Sequence, residues 1–473
     1  MHLSAALLAL AAPLAAAVTP LEVNGRYFVN PSTGNRFQIV GMDYQPGGSA
    51  GYTTDGHDPL SDPDACRRDA AIMQVLGVNT VRIYNLNPNL NHDECASIFN
   101  AAGMYLILDV NSPLVGEALT SFEPWTSYYD TYLNRTFAIV EAFKDYPNTL
   151  LFFSGNEVID TVDSAEFGPR YVRAVTRDLK NYIKKHSDRY IPVGYSAADV
   201  RDVLFDSWNY FSCSIDGEED DESRADVFGL NSYSWCGDAT FKSSTYEDLV
   251  EGFAESSVPI FFSEFGCNEV TPRLFTEIAT IYSDQMTGVF SGGMVYEYTM
   301  EKNNYGVVEL DKDGNAVLLS DFDTLATQYA DLDWESINSQ KPGNTPAAPK
   351  CSTKLITTKG FDTNFTIPAM PADDSEKILN KGVSPAPKGK IIDVSDFTIK
   401  HTITDASGNQ VQNLAVKPVE EANVPGNNDG VSFTAGSSGN GTSAKAGEDK
   451  EDAGSFLKPA LLTLAVPALA MLL

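Results

Sequence analysis

Between residues 36 and 298, short runs of β-branched and aromatic residues alternate with polar loops and with segments whose apolar positions recur at helical spacing. The runs at 37–44, 80–84, 105–109, 150–154, 191–195, 227–231, 260–263 and 293–298 have the length and composition of buried strands. Segments 64–76, 128–143, 169–186, 245–254 and 272–284 read as the helices between them. Such a succession predicts an α/β fold, a (β/α)8 TIM barrel with parallel strands. The strand ends of such a barrel converge on one mouth, where this pattern puts Asp43, Gln45, Tyr84, Asn85, Asp109, Asn156, Glu157, Asn231, Tyr233, Glu264, Tyr296 and Tyr298.

Past residue 338 the pattern changes. Residues 339–349 turn to Pro, Asn, Ser and Ala, as a linker does, and short alternating runs such as 390–403 predict a small β-rich C-terminal appendage reaching residue 425. Residues 426–455 read as a disordered low-complexity stalk. Residues 456–473 are apolar except for Lys458 and lack a cytoplasmic tail. Small residues, a polar spacer and an apolar terminus read as a GPI attachment signal, with cleavage expected at 440–447 and the tail removed; a plain C-terminal membrane anchor is the alternative reading. Residues 1–17 end in Ala15-Ala16-Ala17 and read as a secretory signal peptide, which leaves 18–338 as the catalytic barrel.

Charge and cysteine content narrow the chemistry. The 473-residue chain holds 64 acidic and 33 basic residues, a formal net charge of −31 that argues against nucleic acid and suits a neutral substrate. The six cysteines form an even set, which predicts disulfides in an oxidising compartment. Sequons at Asn134, Asn364 and Asn440 point the same way. The five histidines show no ligand spacing, so no metal site and no cofactor is expected. The acidic stretch 216–226 lacks calcium-loop spacing and reads as a solvated loop.

Two of the apolar runs end in a carboxyl: Leu150 to Ser154 leads into Gly-Asn-Glu157, and Ile260 to Ser263 into Glu264. A pair of carboxylates flanking a glycosidic bond suffices for its cleavage or transfer. One gives a proton to the leaving oxygen while the other attacks the anomeric carbon or activates water. Position in the strand order suggests Glu157 as acid/base and Glu264 as nucleophile, about 5 Å apart if the mechanism is retaining. The amide of Asn156 is suited to a sugar hydroxyl beside the reacting carbon.

The motifs Asp43-Tyr-Gln-Pro-Gly-Gly, Val81-Arg-Ile-Tyr-Asn, Leu108-Asp-Val-Asn-Ser-Pro, Ser154-Gly-Asn-Glu, Asn231-Ser-Tyr-Ser-Trp-Cys, Ser263-Glu-Phe-Gly-Cys, Tyr296-Glu-Tyr and Asn303-Asn-Tyr-Gly stand in this order. Together they resemble the fungal GPI-anchored β-1,3-glucanosyltransferases of glycoside hydrolase family 72. The resemblance implies a retaining transglycosylase that cuts inside a β-1,3-glucan donor, holds the retained piece on Glu264, and passes it to the non-reducing end of an acceptor chain. It implies Glu157 as acid/base, with Gln45, Tyr84, Asp109, Asn156, Tyr233, Tyr296 and Tyr305 as sugar-contacting residues. It also implies the pairs Cys66–Cys95, Cys213–Cys351 and Cys236–Cys267. A monomer held at the outer leaflet of the plasma membrane by its GPI anchor, or in the cell wall, is the corresponding expectation. Tyr296 is further expected to donate to the nucleophile's oxygen. The residue types leave a hydrolysing endo-β-1,3-glucanase open, and more remotely a silent wall-binding protein, because transfer and hydrolysis share one glycosyl-enzyme.

Overall fold

The computed structural model describes residues 18–218, 220–372 and 374–428. The leader, most of the stalk, the Asn440 sequon and the terminal apolar segment lie outside them. Among the described residues no helix is long and apolar enough to cross a membrane.

The chain opens with a small antiparallel sheet, β1 (Glu22–Asn24), β2 (Tyr27–Asn30) and β3 (Asn35–Phe37). Eight parallel strands then close a barrel: β4 (Ile39–Asp43), β5 (Thr80–Ile83), β6 (Tyr105–Asp109), β7 (Thr149–Asn156), β8 (Val193–Ala198), β9 (Val227–Asn231), β10 (Ile260–Phe265) and β11 (Phe290–Val295), with β11 returning to β4. Each coincides with an apolar run of the sequence to within a few residues. The strands are buried on both faces, the condition under which parallel strands read as continuous apolar runs. Closure is tight at Gly292, whose φ of 84° and whose approach to the Ile39 carbonyl leave no room for a Cβ.

Around the barrel lie α1 (Gly48–Asp55), α2 (Pro63–Leu76), α3 (Asp93–Ala101), α4 (Asp130–Phe143), α5 (Gly168–His186), α6 (Arg201–Ser212), α7 (Tyr246–Gly252) and α8 (Glu277–Ile281). The signals that start and stop them are local. In α2, the Asp62 carboxylate accepts from Asp64 N and Ala65 N, Pro63 opens the first turn, and Gly77 ends the helix at φ 83°. The segment 272–284, expected to be one helix, is helical only at Glu277–Ile281. The reason is Phe275, whose φ of 52° breaks the helical path while the buried Arg273 turns toward the barrel mouth.

Two cores result. One fills the space between strands and helices. The second occupies the barrel interior and its lower end, where Phe28 meets Phe261 edge-on at 6.0 Å and Phe37 meets Tyr105 at 5.2 Å. The β1–β3 sheet thus plugs the end opposite the mouth.

After the barrel come β12 (Val308–Leu310), β13 (Ala316–Leu318), α9 (Ser320–Ala330) and α10 (Trp334–Ser339). The β-rich appendage expected after them does not form. Beyond residue 339 regular structure is limited, among the described residues, to α11 (Ser375–Lys381), one short 3-10 turn at Thr353–Leu355 and a two-residue strand, β14 (Ile403–Thr404), added to β13. The remainder is an extended belt around the outer helices. Thr357 N and Thr358 N bond to the Asp206 carboxylate, Arg177 Nη1 to Pro368 O, Ile392 N to Ser97 Oγ, and Asn423 Nδ2 to Gln74 O and Val78 O. Covered and exposed positions do alternate from Phe397 to Ile403, and Ile391, Val394, Phe397 and Ile399 pack on the core, but the amides of Lys390 and Ile392 bond to the Asp93 and Ser97 side chains of α3 instead of to a strand.

Three disulfides join Cys66 to Cys95, Cys213 to Cys351 and Cys236 to Cys267. The second ties the start of the belt to the end of α6. The stretch read as a solvated acidic loop is partly structural: Asp221 accepts from Arg173 Nη2 at 2.6 Å and Asp226 from Lys180 Nζ at 2.8 Å.

Candidate active site

Both carboxylates stand where their strands lose regular pairing. The register of β7 on β8 shifts between Phe153 and Asn156, and that of β10 on β9 between Phe262 and Glu264. Such irregularities re-aim side chains at a barrel rim. Glu157 itself has φ 50°, a left-handed conformation that costs a non-glycine residue about 1–3 kcal/mol, and its N–H is held by Ser196 O at 2.8 Å.

Glu264 is buried and accepts from three donors: Tyr233 Oη at 2.7 Å on one oxygen, and Tyr84 Oη at 2.9 Å with Arg82 Nη1 at 3.2 Å on the other. Burial raises the Tyr84 and Tyr233 phenols well above their ordinary range, so both keep their protons and donate. Tyr296, expected to donate to this carboxylate, does not. Its oxygen accepts from Asn303 Nδ2 at 3.3 Å, and its ring packs edge-on against Tyr84, Tyr233 and Tyr305.

Arg82 is the hub of the mouth. Fully buried on β5, it donates to Glu264, to Asp109 Oδ2 at 3.0 Å and to Asn156 Oδ1 at 3.0 Å, and lies 4.2 Å above the Tyr84 ring. Asn231 completes the link by donating to Glu157 Oε1 at 2.9 Å and to Asn156 Oδ1 at 3.1 Å. Its own oxygen is fixed by the Ser263 and Ser196 hydroxyls. The two glutamates are therefore joined through Asn231, Asn156 and Arg82.

Burial, and secondarily the charge of Glu264, push the Glu157 carboxyl up to about 7, against the opposing hydrogen bond from Asn231. Asp109 rises to about 6 and Glu297 to about 8, each chiefly by burial. Asp43 goes well above the usual carboxylate range through burial and then through Glu264. One guanidinium thus faces a set of acids too numerous to ionise together.

Several buried polar atoms of the mouth, both Asp43 oxygens and Arg82 Nε among them, are left unpartnered, and two of them belong to residues expected to touch the sugar. Gln45 Oε1 accepts from Tyr84 N and Asn85 N, whereas Gln45 Nε2 has no partner; Asp109 Oδ1 has none either. A donor and an acceptor buried this way call for a hydroxylated ligand. Tyr84, Asp109 and Asn156 also line a cleft of about 240 Å³ that runs toward Pro113 and Leu119. A larger depression, about 490 Å³, lies at the opposite end beside β3 and residues 419–427, away from every carboxylate of the mouth.

The mouth gathers all nine residues expected from the sequence. Tyr305 closes its far side, 5.4 Å from the Tyr233 ring, with its carbonyl held by Arg273, which also takes the Tyr296 carbonyl at 2.9 Å. Asn231 is already placed at the mouth by its strand end, without a role; Arg82 and Glu297 are not given a place in the site, although each falls inside one of the eight motifs. Their strand-end positions are the signal that could have found them. Among the described residues, Cys236, Cys267 and Glu269 alone cluster as metal ligands would, and both sulfurs are spent in a disulfide.

The profile of the glucanosyltransferase family of glycoside hydrolase family 72 matches residues 10–333. The chain belongs to this family. It is 52% identical over 418 residues to the 1,3-beta-glucanosyltransferase gel2 of Aspergillus fumigatus, spanning 88% of this chain and 86% of that one. To the 1,3-beta-glucanosyltransferase GAS4 of Saccharomyces cerevisiae it is 43% identical, spanning 82% and 81%. The fold is similar to that of S. cerevisiae Gas2p in complex with laminaritetraose and laminaripentaose, with a TM-score of 0.66, 33% identity and 75% of each chain covered.

Proposed function

We propose that this protein is a retaining β-1,3-glucan transglycosylase. The observation that carries the reading is the asymmetry between the two mouth carboxyls. Glu264 is gripped by three donors, which orients an oxygen for attack, while Glu157 holds its proton up to about pH 7. In the first step Glu264 attacks the anomeric carbon of an internal donor residue as Glu157 protonates the departing glycosidic oxygen. The reducing-end fragment leaves and the retained piece becomes an ester on Glu264. Glu157, now ionised, takes the proton of a hydroxyl at the non-reducing end of the acceptor glucan. That oxygen displaces Glu264, and the acceptor is elongated.

Gln45, Asp109 and Asn156 supply polar contacts to the sugar, and Tyr84, Tyr233, Tyr296 and Tyr305 supply faces and hydroxyls around it. The family's relatives support a cell-surface setting. A GPI anchor, a monomeric state and glycans at Asn134 and Asn364 belong to the same proposal; Asn364 is exposed on the belt.

The test is product length. Incubated with reduced laminari-oligosaccharides, the protein gives products longer than the substrate; only shorter ones would make it the endo-glucanase instead. Glu157→Gln lowers the rate about 10²–10⁴-fold and Glu264→Gln at least as much, with unchanged far-UV circular dichroism. Undiminished activity in either variant removes that residue's role.

A further inference from the structure

The β6–α4 connection is unlike the rest of the surface. Leu114 (37% exposed), Val115 (104%), Phe122 (61%) and Trp125 (46%) fall within twelve residues, four of the eight large exposed hydrophobic residues among those described. Clustered exposure of this kind marks a binding surface.

This connection is held firm. Glu117 accepts from Ser112 Oγ at 2.6 Å and from Arg135 Nε at 2.5 Å, which fixes its near half. Thr120 N donates to Ser127 Oγ at 3.0 Å, and Ser127 Oγ to Pro124 O at 3.0 Å, closing the turn that carries Phe122 and Trp125. Trp125 stands edge-on to Phe167 at 5.3 Å with ring planes 88° apart. Phe167 comes from the connection that follows Glu157, so two neighbouring mouth loops build one aromatic ledge.

The ledge continues the site. Pro113, Ala118 and Leu119 of the same connection line the cleft that Tyr84, Asp109 and Asn156 line from the other side. Residues 110–129 contain no Lys or Arg, and Glu117, Glu123 and Glu166 lie along it. A polyanion or an anionic lipid surface is disfavoured there. A neutral polymer with alternating apolar faces and hydroxyl edges fits.

We propose that Phe122 and Trp125 form a distal subsite for a β-1,3-glucan chain, binding sugar rings several residues from the bond that reacts. This rests on the glucan reading of the site. Ring faces on a pre-ordered loop add affinity without ordering a flexible segment on binding. The ledge therefore acts on chain length and not on the chemical step.

The experiment compares wild type, Phe122→Ala/Trp125→Ala and Trp125→Phe in two arms: donors of increasing length with a fixed short acceptor, and acceptors of increasing length with a fixed donor. The double variant raises KM for the longest chains about tenfold, equivalent to ~1.4 kcal/mol, in one arm, leaves kcat within about twofold, and leaves KM for the shortest chains as in wild type. Trp125→Phe retains most of the long-chain preference. The arm that responds says whether the ledge holds donor or acceptor. Unchanged length dependence in both arms, with the double variant melting as wild type does, overturns the proposal. So does loss of binding to phosphatidylcholine vesicles, or loss of a concentration-dependent dimer, in a variant whose length dependence is intact. Wild type that yields only shorter products while the length effect persists removes the transfer reading and leaves the ledge.

Discussion

At the scale of single residues, Glu157 concentrates the physics of the site. Its conformation is left-handed and its carboxyl is desolvated, both unfavourable, and both are held by neighbours: Ser196 O on the backbone and Asn231 on the side chain. In the proposed mechanism the first step uses this proton, so the rate of donor cleavage is expected to fall as pH rises through about 7. Removing the Asn231 hydrogen bond, which stabilises the charged form, moves that alkaline limb upward; Asn231→Ala shifts it to higher pH, read from kcat/KM profiles. Arg82 poses a different demand, because its fork serves Glu264, Asp109 and Asn156 at once. Arg82→Lys keeps the charge but not the fork, so kcat falls by more than about tenfold while the fold survives; an unaltered kcat would show that charge alone suffices. The two glutamates are legible from the sequence because each ends an apolar run. The expected bond from Tyr296 to Glu264 fails because sequence order cannot say which of several mouth tyrosines points at which oxygen.

At the scale of elements, the eight strands are legible because burial on both faces writes an uninterrupted apolar signal. Helices with one wet face write a weaker one, and α1, α3 and α6 came only with the structure. The length of α8 depends on the φ of Phe275, a tertiary choice without a local signal. The belt shows where alternation misleads. Residues 397–403 alternate because one side faces the barrel's helices, which is the same pattern a half-buried strand would have. What holds this belt is a long-range link: the Cys213–Cys351 disulfide closes 138 residues of sequence. The chain-entropy model assigns such a loop about 4–5 kcal/mol. Cys213→Ala/Cys351→Ala is accordingly expected to melt lower by several degrees and to expose the belt's start to proteolysis near Pro349. A melting temperature equal to wild type would mean that contacts such as Thr357 and Thr358 on Asp206 fix the belt unaided.

For the whole molecule, acidity sets how stability responds to pH. Asp109, Glu157, Glu277 and Glu297 all have carboxyls raised by burial, to about 6, 7, 7 and 8. Below about pH 3 these groups are protonated in both folded and unfolded chains and contribute no pH dependence. As pH rises the unfolded chain ionises first, so the folded state loses stability progressively until its own carboxyls ionise, and the loss is complete above about pH 8. A net charge of −31 adds self-repulsion in the same direction. The urea midpoint is therefore expected to be higher at pH 5 than at pH 8. Glu277 isolates the effect, since it is buried at the start of α8 and outside the mouth. Its rise from 4.5 to about 7, at about 1.36 kcal/mol per unit, corresponds to roughly 3 kcal/mol above pH 7. Glu277→Gln should match wild type in urea at pH 4 and exceed it at pH 8, with transfer activity unchanged. Equal midpoints at pH 8 would show that Glu277 is not held protonated by the fold.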